Sequence, residues 1–496
     1  MSDRITSQLD QIALQDSHTP SLSSPQGIAL DPFSSLPPEI LSHIFYHCVG
    51  TYKVQKSQYA RFCLVNKQFL PIVREHLYSR LTLAIPDQST WKLFVEDEEN
   101  SNKELWSDMK LAITLLGCPQ CARLVKVLDA SFETVPPPES IGHNLCGIVE
   151  SLPQLKELWL LDMGKGFWPT SSSLNTTSAT PESQGIIRRL ANDLAFIQKQ
   201  TLRVLVIPQL YLSLVDTHVL FTEIAPLSIY KGTILAPLPL HSPKSPVCRL
   251  QRVYITHFKK PEDIRFVLSS SLDSIRYLHL VVHLENGSID LSNLRNLETL
   301  VLTAEWVSPK PIVGNTLNFM SMASSMIRQC EPDVLLNVIF RIADSAKGIT
   351  SLRVFSLFTN LGNYIAPHFE RHFLNLPSSI VELSIGPTPA STLPWSVLFK
   401  NLHLYPSLRK LYLTVPIPPS SDSSSTPIDP FEAYFGTSEE AFQKEKGLKV
   451  KWIEEEFDWK YWSENRFYRM ASIQEMMGKP NEFAFMQEQQ QNCTVA

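Results

Sequence analysis

Apolar residues in the first folded stretch recur at helical spacing. Ile40, Leu41, Ile44, Phe45 and Cys48 fall on one face of a helix opened by Pro37 and Pro38, where a missing N–H costs nothing. After the polar break 50–57, the runs 59–65 and 69–77 give two more short helices, with Asn66 and Pro71 as punctuation. The spacing therefore predicts a three-helix module over 34–83. Ahead of it, 1–33 holds Ser, Gln, Pro and Asp with isolated apolar residues. These are too few to offset the entropy of ordering, and a disordered leader is expected.

Beyond Leu83 the pattern changes. An apolar residue at i, i+3 and i+5 returns at Leu155/Leu158/Leu160, Leu202/Leu205/Ile207, Leu250/Val253/Ile255 and Ile275/Leu278/Leu280. It returns again at Leu297/Leu300/Leu302, Leu352/Phe355/Leu357, Ile380/Leu383/Ile385 and Leu408/Leu411/Leu413. First positions lie 22 to 55 residues apart, near one or two units of leucine-rich length. Positions i+3 and i+5 point to one face of a short strand. The stretches 186–200, 262–268, 334–346 and 395–402 between them read as helices.

One strand and one helix per unit predict an α/β leucine-rich-repeat-like solenoid over 84–478, against the rival of a two-layer sheet of unrelated strands. The Asn or Cys that such repeats carry three residues after i+5 stands only at Asn360. An irregular arc is expected, because the ladder that satisfies the turn backbone is missing. Ser-, Thr- and Pro-rich insertions at 169–183, 225–246 and 416–430 read as loops. Near the end, 438–446 has acidic residues in its first turn, lysines in its last and Gly447 as a stop. Leu448, Val450 and Trp452 then alternate with Lys449 and Lys451 as an edge strand, and 457–477 reads as a covering helix. The Gln-rich 479–496 is expected as a flexible tail.

Composition narrows the function. Of 496 residues 44% are hydrophobic and 19% charged, which excludes wholesale disorder. The formal net charge is -5, with no dense Lys/Arg run to neutralise phosphates, so nucleic acid is set aside as a partner. Eight cysteines in 496 residues, without regular spacing, do not make a disulfide scaffold, and reduced thiols are expected. Neither a signal peptide nor 18 consecutive apolar residues is present, which points to the cytoplasm or nucleus. The last four residues, Cys493-Thr494-Val495-Ala496, fit the C-a-a-X prenylation pattern without a preceding polybasic segment. Membrane attachment is expected only if Cys493 is prenylated.

Candidate chemistry is sparse. Cys118-Pro119-Gln120-Cys121 is a single C-x-x-C, with His143 and Cys146 the nearest further ligands. It reads either as a zinc or redox pair or as two thiols beside a turn. His368 and His372 stand one helical turn apart, a metal-compatible spacing that a solvated helix face also explains. His279 and His283 project from one side of a predicted strand, as partner contacts or as plain surface histidines. No phosphate-cradling or nucleophile-elbow motif occurs, so no cofactor and no catalytic residue is implied.

The segments Leu36-Pro37-Pro38-Glu39-Ile40-Leu41, Ile44-Phe45, Cys63-Leu64-Val65-Asn66-Lys67-Gln68-Phe69 and His76-Leu77-Tyr78 together resemble an F-box, most closely those of fungal F-box proteins. The closing tryptophan of many F-boxes is absent, and Tyr78 stands nearest to its place. The resemblance implies docking on a Skp-type adaptor, and through it membership of an SCF-type cullin-RING ubiquitin ligase. The adaptor-contacting residues it implies are Leu36, Pro37, Ile40, Leu41, Ile44, Leu64, Val65 and Phe69. The remaining chain would hold a target protein without catalysing anything. The alternative is a repeat-based interaction scaffold unconnected with ubiquitin.

Overall fold

The computed structural model describes 36–41, 69–85, 115–132, 138–162, 192–207, 217–234, 245–282, 289–304, 332–361, 365–373, 376–389, 398–415 and 443–454, apart from a few positions inside these stretches. Its strands are β1 (Arg80–Ile85), β2 (Val127–Phe132), β3 (Glu157–Asp162), β4 (Val204–Val206), β5 (Ile229–Ile234) and β6 (Arg252–Phe258). They continue as β7 (Tyr277–Val282), β8 (Thr299–Ala304), β9 (Val354–Thr359), β10 (Glu382–Pro389), β11 (Lys410–Val415) and β12 (Lys449–Glu454). The helices are α1 (Phe69–Tyr78), α2 (Pro119–Ala122), α3 (Pro138–Ser151), α4 (Thr217–Glu223), α5 (Pro261–Ser269), α6 (Pro332–Ser345) and α7 (Phe369–His372). The chain divides into two compact units, Met1–Arg74 and Glu75–Ala496.

All twelve strands form one sheet in chain order, and each pairs parallel with its neighbour. Register joins the i+3 residues into one row, running Leu128, Leu158, Leu205, Tyr230, Val253, Leu278, Leu300, Phe355, Leu383 and Leu411. Every side chain in that row is buried, and the row forms the spine of the main core. Each full burial of this kind contributes about 1.5–3 kcal/mol, so the row holds successive strands in register.

The connecting helices lay their apolar stripes on the same core. Pro261 opens α5, and Asp263 accepts a 3.1 Å bond from the Lys260 backbone N–H, which caps its first turn. Ile264, Val267 and Leu268 then face inward. In α6, Leu335, Leu336, Ile339, Ile342 and Ala343 do the same.

Serine hydroxyls serve the turns in place of the missing asparagine ladder. Ser274 donates to the Leu250 carbonyl at 2.7 Å, Ser351 to that of Leu297 at 2.8 Å, and Ser379 to that of Leu352 at 2.7 Å. In each case the serine just before one unit's first apolar residue satisfies the carbonyl of the preceding unit's first apolar residue.

The expected fold, a three-helix F-box followed by a leucine-rich-repeat-like solenoid, is corrected on two counts. Of the three helices expected over 34–83, α1 matches the run 69–77 and an opening turn stands at 39–41, while the rest of the first helix and the run 59–65 lie outside the described residues. Leu81 and Leu83 belong instead to β1, where they alternate with Arg80 and Thr82 at a period of two. The open strand face expected of a solenoid is also not found along the centre of the sheet among the described residues. Across its central strands the second face is buried too, in a cluster of Trp159, Val204, Val206, Ile229, Tyr254, Tyr277, Val301 and Phe358. Burial on both faces is the habit of an all-parallel α/β sheet. Among the described residues the connections between strands are not uniform: α3, α5 and α6 each bridge successive strands, while those between β7 and β8 hold only turns.

Candidate functional site

Two places carry the residues singled out by sequence. The first is the N-terminal turn. The Pro37 carbonyl accepts from both the Ile40 and the Leu41 backbone N–H, at 3.0 and 3.1 Å, which starts a helical turn. That turn sends neighbouring apolar side chains in opposite directions. Leu41 is buried, whereas Ile40 is 48% exposed, Pro37 is exposed and Leu36 is half-buried. Phe69, at the start of α1, is buried too, so of the expected adaptor contacts that are described Leu41 and Phe69 turn inward and only Leu36, Pro37 and Ile40 reach the surface. Ile44, Leu64 and Val65 lie outside the described residues, as does Cys493.

The second place is the sheet face opposite the main core. Register aligns Lys231, Tyr254, His279, Val301, Ser356 and Ser384 across β5 to β10. His279 is fully buried, not at the surface. Its ring stacks on Tyr254 with centroids 3.9 Å apart, and its Nε2 shares a 2.8 Å hydrogen bond with the Thr303 hydroxyl. Lys231 Nζ lies 4.9 Å from the centroid of the same Tyr254 ring. Burial, reinforced by the Lys231 charge, holds the His279 pKa well below the ordinary histidine value, so the imidazole is neutral. Among the described residues, His279 Nδ1, Ser356 Oγ and Ser384 Oγ have no hydrogen-bond partner. His283 lies outside them.

Toward β1 the same face turns acidic. Asp129 takes a 2.8 Å ion pair from Arg80. Glu157 accepts a 2.9 Å bond from the Trp159 indole. Burial raises the Glu157 pKa, against the Trp159 hydrogen bond and the Arg80 charge, with Asp129 adding to the rise. The strand alternation that picked out His279 does not reveal Lys231, Tyr254 and Thr303 as its neighbours. That information lies in the pairing of β5 to β8, which only the register supplies.

The remaining motifs separate. Cys118 and Cys121 are not disulfide-bonded, and their sulfurs sit 3.2 Å apart. Cys146 is buried, and the His143 side chain lies outside the described residues. His372 is held through Nδ1 by both Asp344 oxygens at 3.1 Å and stacks on Phe340, while His368 is exposed. Among the described residues no group of three or more His, Cys, Asp or Glu is placed to hold a metal. A shallow polar depression lined by Gln251, Arg252, Asp273, Ser274, Arg276 and Asn296 runs along the strand-entry edge of β6 to β8.

No helix among the described residues is long and apolar enough to cross a membrane. Comparison of the chain with protein-family models and with characterised proteins finds no match.

Proposed function

We propose that the chain is a substrate-recognition adaptor of an SCF-type cullin-RING ubiquitin ligase. In this reading its F-box-like N-terminal sequence docks on a Skp-type adaptor, and the unit Glu75–Ala496 binds a target protein. The observation that carries the reading is the split at the first turn. Pro37 and Ile40 present apolar surface to solvent beside a buried Leu41, at positions where the F-box resemblance needs partner contacts. The contribution is proximity: holding target and ligase together raises the effective concentration for ubiquitin transfer, with no catalytic group from this chain. Target contact falls to exposed surface, since the central second face of the sheet is already buried. A cytoplasmic or nuclear location belongs to the same proposal.

The test is co-purification of the full chain with a Skp-type adaptor, wild type beside Ile40→Lys, with circular dichroism to establish equal folding. Capture by the wild type and loss in the variant are expected. A folded wild-type chain that captures no adaptor overturns the reading and leaves an interaction scaffold.

A further inference from the structure

Cys118 and Cys121 occupy the N-cap and third positions of the short helix α2, with Pro119 between them at the first. Side chains at those two positions lie over the same opening turn, and neither caps the backbone through an N-cap hydrogen bond. Here the pair that meets is two thiols, with Cys118 Sγ donating to Cys121 Sγ at 3.2 Å. A disulfide is about 2.05 Å long, so closing the pair brings the two sulfurs nearer by only about 1 Å. The turn is braced on both sides. Ala122 and Arg123 donate to the Cys118 and Pro119 carbonyls at 3.1 Å each, and Ala122 and Val125 are buried in the main core. Both cysteines are half-buried, so a small reagent can reach them, while Cys146 and Cys248 are buried.

We propose that Cys118 and Cys121 form a redox-active dithiol, oxidised to an intramolecular disulfide by exchange with a low-molecular-weight disulfide of the glutathione type. One cysteine thiolate attacks a sulfur of the small disulfide, giving a mixed disulfide and expelling one small thiolate. The second cysteine thiolate attacks the protein sulfur of that adduct, closing the Cys118–Cys121 bond and expelling the other small thiolate. Two protein thiols and one small disulfide become one protein disulfide and two small thiols. Two electrons pass to the oxidant, and both thiol protons end on the expelled thiolates. The proximity that places the second thiol beside the first makes the adduct short-lived. The site is independent of any ligase role.

The experiment equilibrates the full-length chain in mixtures of reduced and oxidised glutathione, quenches with acid, alkylates, and measures the mass of the peptide spanning 118–121. The wild type should pass from doubly alkylated to a form two hydrogens lighter than the dithiol and closed to alkylation, with no lasting glutathione adduct. Cys118→Ser and Cys121→Ser, each left with a single thiol and no neighbour to resolve its adduct, should each keep one glutathione on the remaining cysteine. Circular dichroism checks that all three chains are folded. A folded wild type that stays doubly alkylated at every ratio, or that accumulates adducts as the single variants do, overturns the proposal.

Discussion

The imidazole of His279 lies nearly parallel to the phenol ring of Tyr254, centroids 3.9 Å apart and planes 14° apart. Lys231 also approaches that phenol ring, so a cation, an aromatic ring and an imidazole follow one another across β5, β6 and β7. Only a neutral imidazole suits the arrangement. A proton on His279 would bury a second positive charge next to the one Lys231 already brings.

That gives a pH dependence with a definite sign. The unfolded chain takes up the His279 proton near pH 6.5, and the folded chain only at lower pH. The stability that depends on neutral His279 is therefore complete above pH 6.5 and lost as pH falls below it. We expect this group to lower the unfolding free energy by up to about 1.4 kcal/mol per pH unit in that window. His279→Gln should remove that slope, and urea melts of both chains at several pH values check it. Identical slopes would clear His279 of any part in acid sensitivity.

Glu157 has the opposite sign. Burial raises its pKa, so the folded chain holds the Glu157 proton more tightly than the unfolded chain does, and charging the carboxyl as pH rises works against folding. Glu157→Gln keeps an oxygen to accept the Trp159 indole N–H and removes the charge. The variant should melt at a higher temperature than wild type at pH 7, and the gain should vanish near pH 4. Thermal melts at both values decide it. A gain that persists at pH 4 would point to packing instead.

The i, i+3, i+5 recurrence located eight strands because it reports burial on one face, and each of the eight triplets leads into a strand of the sheet. It does not pick out β1, β2 and β5, whose triplets Tyr78/Leu81/Leu83, Val125/Leu128/Ala130 and Leu227/Tyr230/Gly232 place a tyrosine, an alanine or a glycine where the other eight have Leu, Ile, Val or Phe. The burial of the second face was not legible. Lys231, His279, Ser356 and Ser384 look like surface residues in sequence, and only parallel pairing sets them in a row among Val206, Tyr254 and Val301. A lone polar residue on a strand reads as outward, which places His279 at the surface whether as a partner contact or as a plain surface histidine, and nothing local tells a covered face from an open one.

The buried i+3 row makes a sharp prediction about stability. Leu278 sits at its centre, fully buried between Val253 and Leu300. Leu278→Ala should cost about 2–5 kcal/mol, the transfer energy plus the cavity left between tightly paired strands. Thr82→Ala, on the exposed edge of the second face, should stay within about 0.5 kcal/mol. Denaturant midpoints of the two variants test the contrast. A near-neutral Leu278→Ala would mean that the row does not carry the sheet.

Ile40 and Leu41 allow docking to be separated from folding, because adjacent side chains of similar size differ mainly in burial. Leu41→Ala empties a buried position and should destabilise its unit by about 2–5 kcal/mol. Ile40→Lys puts a charge where the side chain is already 48% exposed, and in the isolated chain it should shift the melting temperature little. In a complex that covers Ile40, the same lysine must lose its water without a partner, at a cost that removes binding. The expected pattern is a stable Ile40→Lys chain that no longer captures a Skp-type adaptor, beside a less stable Leu41→Ala chain that still captures it at temperatures where it is folded. If Ile40→Lys captured the adaptor as wild type does, docking would not run through this turn.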